Sequence, residues 1–240
     1  MSSARGQFGW RLSDLVAHSK LGKSTAHRIL KFLERERLVQ RRRDALSYGP
    51  GPLLFELGLA LPAYPKFAAA CQPSVDRLAR RTGAVAYVFL RSGTEFVCIA
   101  RGGTATIRAL SIDVGARRPL VMAAGGLAML AALGRDECAQ IVRANVEDWD
   151  RWSEKRVMAV EKVVRKSRAA GYGLVQGDLI PGVAGIGTAI LDAGGVPFAS
   201  VSVAGATEVL PPARTAAVLA ILGDSAKQIA AHAQELLGAK

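Results

Sequence analysis

The chain has 240 residues, half of them hydrophobic, which is enough for one sizeable core and a second, smaller one. Its formal net charge is +12, and residues 1–50 hold 11 Lys/Arg against 4 Asp/Glu, an asymmetry that points to a polyanionic partner for the N-terminal part. The longest nearly apolar run, Val121 to Gly134, is too short and too rich in glycine and alanine to span a membrane.

"MSSARGQFGW" has no apolar signal core, which fits a cytoplasmic protein. Leu12, Leu15 and Val16 recur at i, i+3 and i+4 and predict a short helix, with Ser13 and Asp14 in its first turn. Gly22 is available for a turn. In a second helix, Ala26, Ile29, Leu30 and Leu33 form one stripe to be buried. The opposite side carries Ser24, Arg28, Lys31 and Arg35, with His27 at its edge. Two short helices around a tight turn make a helix-turn-helix pattern. Its second helix would enter the major groove of double-stranded DNA and read base edges with its N-terminal residues, beginning at Lys23, Ser24 and Thr25.

Leu38-Val39 and Leu46-Ser47-Tyr48 read as two short strands, with Arg41, Arg42, Arg43 and Asp44 at the tip between them. A hairpin in this place is a wing, and its arginines suit phosphates or the minor groove. A winged helix-turn-helix usually has a further helix before the pair. "MSSARGQFGW" shows no helical period, so either the N-terminus is truncated or Phe8 and Trp10 act as a minimal cover. Pro50 and Pro52 close the wing. "LLFELGLAL" (53–61) is an apolar helical segment that either packs on its own domain or makes a dimer contact.

From residue 66 the pattern is mixed. "CQPSVDRLARRTG" reads as a helix ending at Gly83, and "AVAYVFLRSG" and "EFVCIARGG" as adjacent strands with a Ser92-Gly93 turn. "TIRALSI" reads as a third strand. Helices are expected over Val121 to Leu133, Glu137 to Ala144 and Glu154 to Ala170, the last capped by Gly171. "VAGIGTAIL" and "PFASVSVAG" are strands joined by the turn-forming "DAGG". A last alanine-rich helix runs from Pro212 to about Leu237. Cys71, Cys98 and Cys138 are few and far apart, and are expected to be small buried apolar residues in a reducing compartment. The fold class is α+β: an antiparallel sheet with helices on it, of a sensor type.

Over nearly its whole length the chain resembles IclR-type bacterial transcriptional regulators. The matching stretches are "GKSTAHRILKFLERERLV", "VGARRPLVMAAGGLAMLAAL" and "SRAAGYGLVQGDLIPGVAGIGTAILDAGGVPFASVSVAG", in the right order and spacing. The resemblance implies a winged helix-turn-helix over 1–50, a linker helix over 51–65, and a GAF-like effector-binding and oligomerisation domain over 66–240. It also implies homodimers or homotetramers on a palindromic operator, and a small organic effector. Met122, Ala123, Ala124 and Gly125 match the start of the pocket-lining helix. Gly185, Ile186 and Ser202 are carried over as pocket positions. Asp178 is either a ligand-contacting carboxylate or the cap of the "IPG" turn. Ser200 and Ser202 share one face of their strand.

The sequence departs from the family pattern where it matters for ligand. Val175 stands at a usually polar position, and Gly185 replaces a Cys, Ser or Ala. These positions offer no side-chain hydrogen bond, so a small charged acid would be poorly satisfied. The expected effector is an aromatic or relatively apolar acid, larger than glyoxylate or pyruvate. "GVAGIG" is not a dinucleotide fingerprint, because a strand rather than a helix follows it. His18, His27 and His232 are the only histidines, and no metal spacing or serine elbow appears; neither catalysis nor a cofactor is expected. The alternative is a ligand-binding regulator whose DNA binding is defective or partner-dependent because the N-terminus is truncated.

Overall fold

The computed structural model describes residues 9–42, 47–104, 107, 110–147 and 153–238. It divides into two compact units, one ending at Pro62 and the other beginning at Ala63.

The N-terminal unit runs β1 (Trp10–Arg11), α1 (Leu12–Ser19), α2 (Lys23–Arg35), β2 (Val39–Arg41), β3 (Ser47–Pro50) and α3 (Pro52–Leu59). Its strands form an antiparallel sheet in the order β1-β3-β2, with Tyr48 opposite both Trp10 and Arg41. Trp10 therefore enters the sheet as a strand residue, and its ring lies 5.3 Å from that of His18. Phe8 lies outside the described residues. The residue that turns the chain between α1 and α2 is Lys20, with φ of 57°, while Gly22 is an extended N-cap. A left-handed conformation costs a residue with a Cβ more than it costs glycine. Lys20→Gly is expected to leave the fold unchanged and to shift stability by less than about 1 kcal/mol in urea unfolding, the relief of backbone strain being offset by glycine's entropy and by the loss of the lysine side chain's own interaction.

The buried stripe of α2 is narrower than its spacing suggests. Ala26 and Leu30 are buried and Leu33 partly so, but Ile29 is 42% and Phe32 59% exposed. No residue of α3 is buried, and Phe55 is 70% exposed. Within this unit α3 therefore does not bury its apolar side chains. It is tied at its middle by the ion pair between Glu56 and Arg37, the latter in the turn after α2.

The C-terminal unit runs α4 (Ala63–Thr82), β4 (Val85–Ser92), β5 (Glu95–Gly102), β6 (Arg117–Pro119), α5 (Ala124–Ala132), α6 (Arg135–Glu147), α7 (Glu154–Ala170), β7 (Gly173–Gln176), β8 (Val183–Leu191), β9 (Pro197–Ala206) and α8 (Thr215–Leu237). The six strands form one antiparallel sheet, β6-β5-β4-β9-β8-β7. Both faces are covered. Ala86 and Val88 of β4 pack with Leu78 of α4 and Leu222 and Ile229 of α8. Val85, Tyr87 and Phe89 point the other way, toward Leu127 of α5, Ile141 of α6 and Val160 and Val163 of α7. The two-residue period of the strand thus feeds two cores.

Helix α4 starts well before Cys71. Pro65 falls in its first turn, where a missing N–H costs nothing, and only Pro73 is interior. The strand expected over 106–112 is not formed by its described residues, Ile107 and 110–112. Instead the third strand on that side is β6. A turn at Gly115 lets Cys98 donate its N–H to Ala116 O at 3.0 Å and accept one from Gly115 at 2.8 Å, which delivers β6 to β5. Helix α7 ends as expected at Gly171 (φ 77°), whose N–H reaches Ser167 O at 2.9 Å. The turn between β8 and β9 is held by Asp192, whose Oδ1 accepts N–H bonds from Gly194 and Val196, each 2.9 Å. All three cysteines are buried and free, and burial pushes the Cys71 and Cys98 thiols up to about 12. Cys71 and Cys98 are therefore packing groups, without thiolate reactivity at neutral pH.

Candidate nucleic-acid interface and ligand cavity

On α2, Lys23, Ser24, His27, Arg28, Lys31 and Arg35 are all exposed, and Thr25 is half-buried. Ala26 and Leu30 hold the opposite side of the helix against its own unit, so helical spacing forces this row outward. None of the row's four cations forms an ion pair among the described residues. The helix has no side-chain N-cap, and its first internal bond runs from Ala26 N–H to Gly22 O. The N–H groups of Lys23, Ser24 and Thr25 are thus left for an outside acceptor. In the wing, Arg41 and Arg42 are exposed, and Arg42 N–H donates to Ser47 O at 2.8 Å. Arg43 and Asp44 lie outside the described residues.

The second candidate site lies in the C-terminal unit, where the start of α5 approaches the sheet. Glycines permit that approach: a Cβ on Gly173 would sit 1.8 Å from Ala124 O, and one on Gly187 2.6 Å from it. The result is a narrow, partly open cavity of about 50 Å3. Met122, Ala123 and Ala124 form its wall at the start of α5, and Gly185 and Ser202 its wall on the sheet. Val175 completes this side with an apolar group.

Three positions named from the sequence are placed elsewhere. Gly125 packs over Phe89 and Ser200. Ile186 lies in the core beneath α4 and α8, because neighbours on a strand face opposite ways and Gly185 takes the cavity side. Asp178 turns toward α7, where Lys162 and Lys166 hold its carboxylate at 2.9 and 3.1 Å. These two ammonium groups hold its pKa below the usual carboxylate value although burial opposes them. Sequence reasoning also missed an apolar wall: Tyr87 and Phe89 of β4, Leu110 and Ile112 of the connection between β5 and β6, and Leu179 and Ile180. The two aromatic rings stack 5.4 Å apart, and Tyr87 donates its hydroxyl proton to Leu110 O. Burial pushes the Tyr87 phenol upward, so it stays a neutral donor.

The cavity's polar groups are few. Ser202 is buried at its wall, and α5 begins without a side-chain cap, its first bond running from Leu127 N–H to Ala123 O. The N–H groups of Ala124, Gly125 and Gly126 therefore lack intrahelical acceptors, and of these residues Ala124 lines the cavity. Beneath Gly125, Ser200 Oγ is fully buried and without a hydrogen-bond partner among the described residues. A larger groove of about 600 Å3 runs between α6 and α7, but it is an open surface lined by arginines and valines.

Residues 66–231 match the family model described as the bacterial transcriptional regulator IclR C-terminal domain, and residues 4–43 match the IclR helix-turn-helix domain. The HTH-type transcriptional repressor AllR of Klebsiella pneumoniae is 25% identical over 219 residues, covering 91% of this chain and 80% of the relative. AllR of Escherichia coli K12 is 24% identical, covering 91% and 81%. Among solved structures, an IclR family transcriptional regulator from Brucella abortus superposes with a TM-score of 0.72 at 18% identity, covering 92% of this chain and 84% of the other. An IclR homologue from Microbacterium hydrocarbonoxydans, complexed with 4-hydroxybenzoate, superposes with a TM-score of 0.68 at 20% identity, covering 94% and 92%.

Proposed function

The chain belongs to the IclR family of bacterial transcriptional regulators, and from that premise we propose that it is a cytoplasmic, effector-responsive reader of a palindromic operator whose ligand is an aromatic or relatively apolar acid. A helix-turn-helix and a C-terminal ligand-binding domain are what the family supplies; the residue roles and the ligand class are our reading. In that reading α2 lies in the major groove with Lys23, Ser24, Thr25, His27, Arg28 and Lys31 toward bases and phosphates, and the wing arginines Arg41, Arg42 and Arg43 grip the backbone. The exposed Ile29 and Phe32 on α2 and Leu54 and Phe55 on α3 suit contact with a second copy of the chain, as a palindromic site requires of a homodimer or homotetramer.

The observation that carries the ligand assignment is the composition of the cavity. Its polar groups gather at Ser202 and the uncapped start of α5, where a carboxylate would meet N–H groups and a helix dipole. Tyr87, Phe89, Val175, Leu179 and Ile180 make the rest apolar. An acid with an aromatic body satisfies both ends, whereas a short keto acid would leave polar atoms facing valine and leucine. The 4-hydroxybenzoate held by the Microbacterium homologue is of the favoured class. Isothermal titration should show 4-hydroxybenzoate or a related aromatic acid binding at least about tenfold more tightly than pyruvate or glyoxylate. Tighter binding of the keto acids would overturn this ligand class.

A further inference from the structure

The loop from Gly177 to Gly182 joins β7 to β8 and supplies Leu179 and Ile180 to the cavity wall. Both of its ends are glycines in left-handed conformations, with φ of 76° and 75°. Its base is closed by two backbone bonds, Gly177 N–H to Val183 O at 2.8 Å and Val183 N–H to Ile180 O at 3.1 Å. The loop's only side-chain ion pairing among the described residues is that of Asp178. Lys162 Nζ lies 2.9 Å from its Oδ1 and Lys166 Nζ 3.1 Å from its Oδ2. The two lysines stand one turn apart on α7, so one carboxylate fits between them. The Asp178 side chain is 9% exposed, whereas both lysines reach solvent.

The cavity's size gives this fastening a consequence. At about 50 Å3 it is too small for an aromatic ring, since an apolar cavity that takes benzene measures about 150 Å3. For such a ligand to be taken up whole, one wall has to move. The sheet and α5 are packed backbone against backbone at Gly173 and Gly187. The loop has a glycine at each end and a charged fastening on its solvent side.

We propose that Asp178, Lys162 and Lys166 form the latch of the cavity, holding the Leu179–Ile180 wall closed until the double ion pair opens. This inference rests on the reading of the cavity as the effector site. It makes Asp178 a positioning residue that controls ligand entry from outside the pocket.

The test is hydrogen–deuterium exchange on the full chain, comparing the original protein with Asp178→Asn, the double variant Lys162→Met/Lys166→Met, and the conservative Lys166→Arg. Asp178→Asn and the double lysine variant should each speed exchange of the Gly177 and Val183 amides about tenfold while leaving β9 unchanged, and Lys166→Arg should retain protection. The association rate of 4-hydroxybenzoate, followed by stopped flow, should rise in the same two variants. Unchanged loop exchange in Asp178→Asn would overturn the latch. So would an equal rise throughout β8 and β9, which would mark the ion pairs as general supports of the fold. If 4-hydroxybenzoate binds to none of the proteins, the ligand assignment fails, while loop exchange still decides the latch.

Discussion

Replacing Arg28 with alanine is expected to weaken binding to the operator by about 10- to 100-fold and to relax its sequence preference, because a bidentate contact to a guanine edge is worth about 1–3 kcal/mol of discrimination. Arg28 stands in the first half of α2, on the side opposite the buried Ala26 and Leu30, and is exposed with no ionic partner among the described residues. Its removal leaves no buried charge behind, so the fold should be unaffected and the loss can be read as lost DNA contact. Arg42 in the wing should behave differently. Arg42→Ala should lower affinity for all duplexes alike and reduce the slope of log K against log salt by about 1, the signature of a phosphate contact. Competition anisotropy with the DNA upstream of the protein's own gene and a scrambled duplex separates the two. If Arg28→Ala left both affinity and preference intact, α2 would not be the reading helix.

Gly173→Ala should destabilise the C-terminal unit by about 3 kcal/mol, as severe overpacking does. The added Cβ would fall 1.8 Å from Ala124 O and 2.7 Å from Ala128 N, both backbone atoms of α5. Neither can move as a flexible side chain would, so the helix must lift off the sheet. That lift would also displace Ala123 and Ala124 at the cavity wall, and ligand affinity should fall together with stability. Gly223→Ala provides the opposite control. Gly223 lies inside α8, and its added Cβ meets nothing within 4 Å, so this change should stabilise by about 0.5–1 kcal/mol through helix propensity alone. Urea unfolding of both variants measures the contrast, and equal effects of one sign would contradict this account of the α5–sheet contact.

The elements with strong local signals were legible in the sequence. Helix α7 with Gly171 behind it, strand β8, and the Asp192 turn into β9 lie where spacing and turn chemistry put them. The exposed row on α2 was legible for the same reason, since helical period alone sets it. The cavity was legible at the start of α5 and at three sheet positions, through Met122, Ala123, Ala124, Val175, Gly185 and Ser202. Its apolar wall was not, because Tyr87 and Phe89 sit in an unbroken apolar strand buried on both faces, where alternation is silent. Ile186 could have been set aside from the strand period, which sends it away from Gly185. The partners of Asp178 are Lys162 and Lys166, more than ten positions earlier on another element, and local pattern does not encode that pairing. Residues 106–112 read as a strand, yet Leu110 serves as a cover whose carbonyl accepts the Tyr87 hydroxyl.

The central claim is that this chain reads one DNA sequence and that an aromatic acid modulates the reading. The most direct test is fluorescence anisotropy of the full chain on DNA from upstream of its own gene, against a scrambled duplex, at two salt concentrations, with and without 4-hydroxybenzoate and related aromatic acids. The account predicts specific binding that weakens steeply with salt and shifts when the acid is added. Weak, sequence-blind binding that no aromatic acid alters would contradict it.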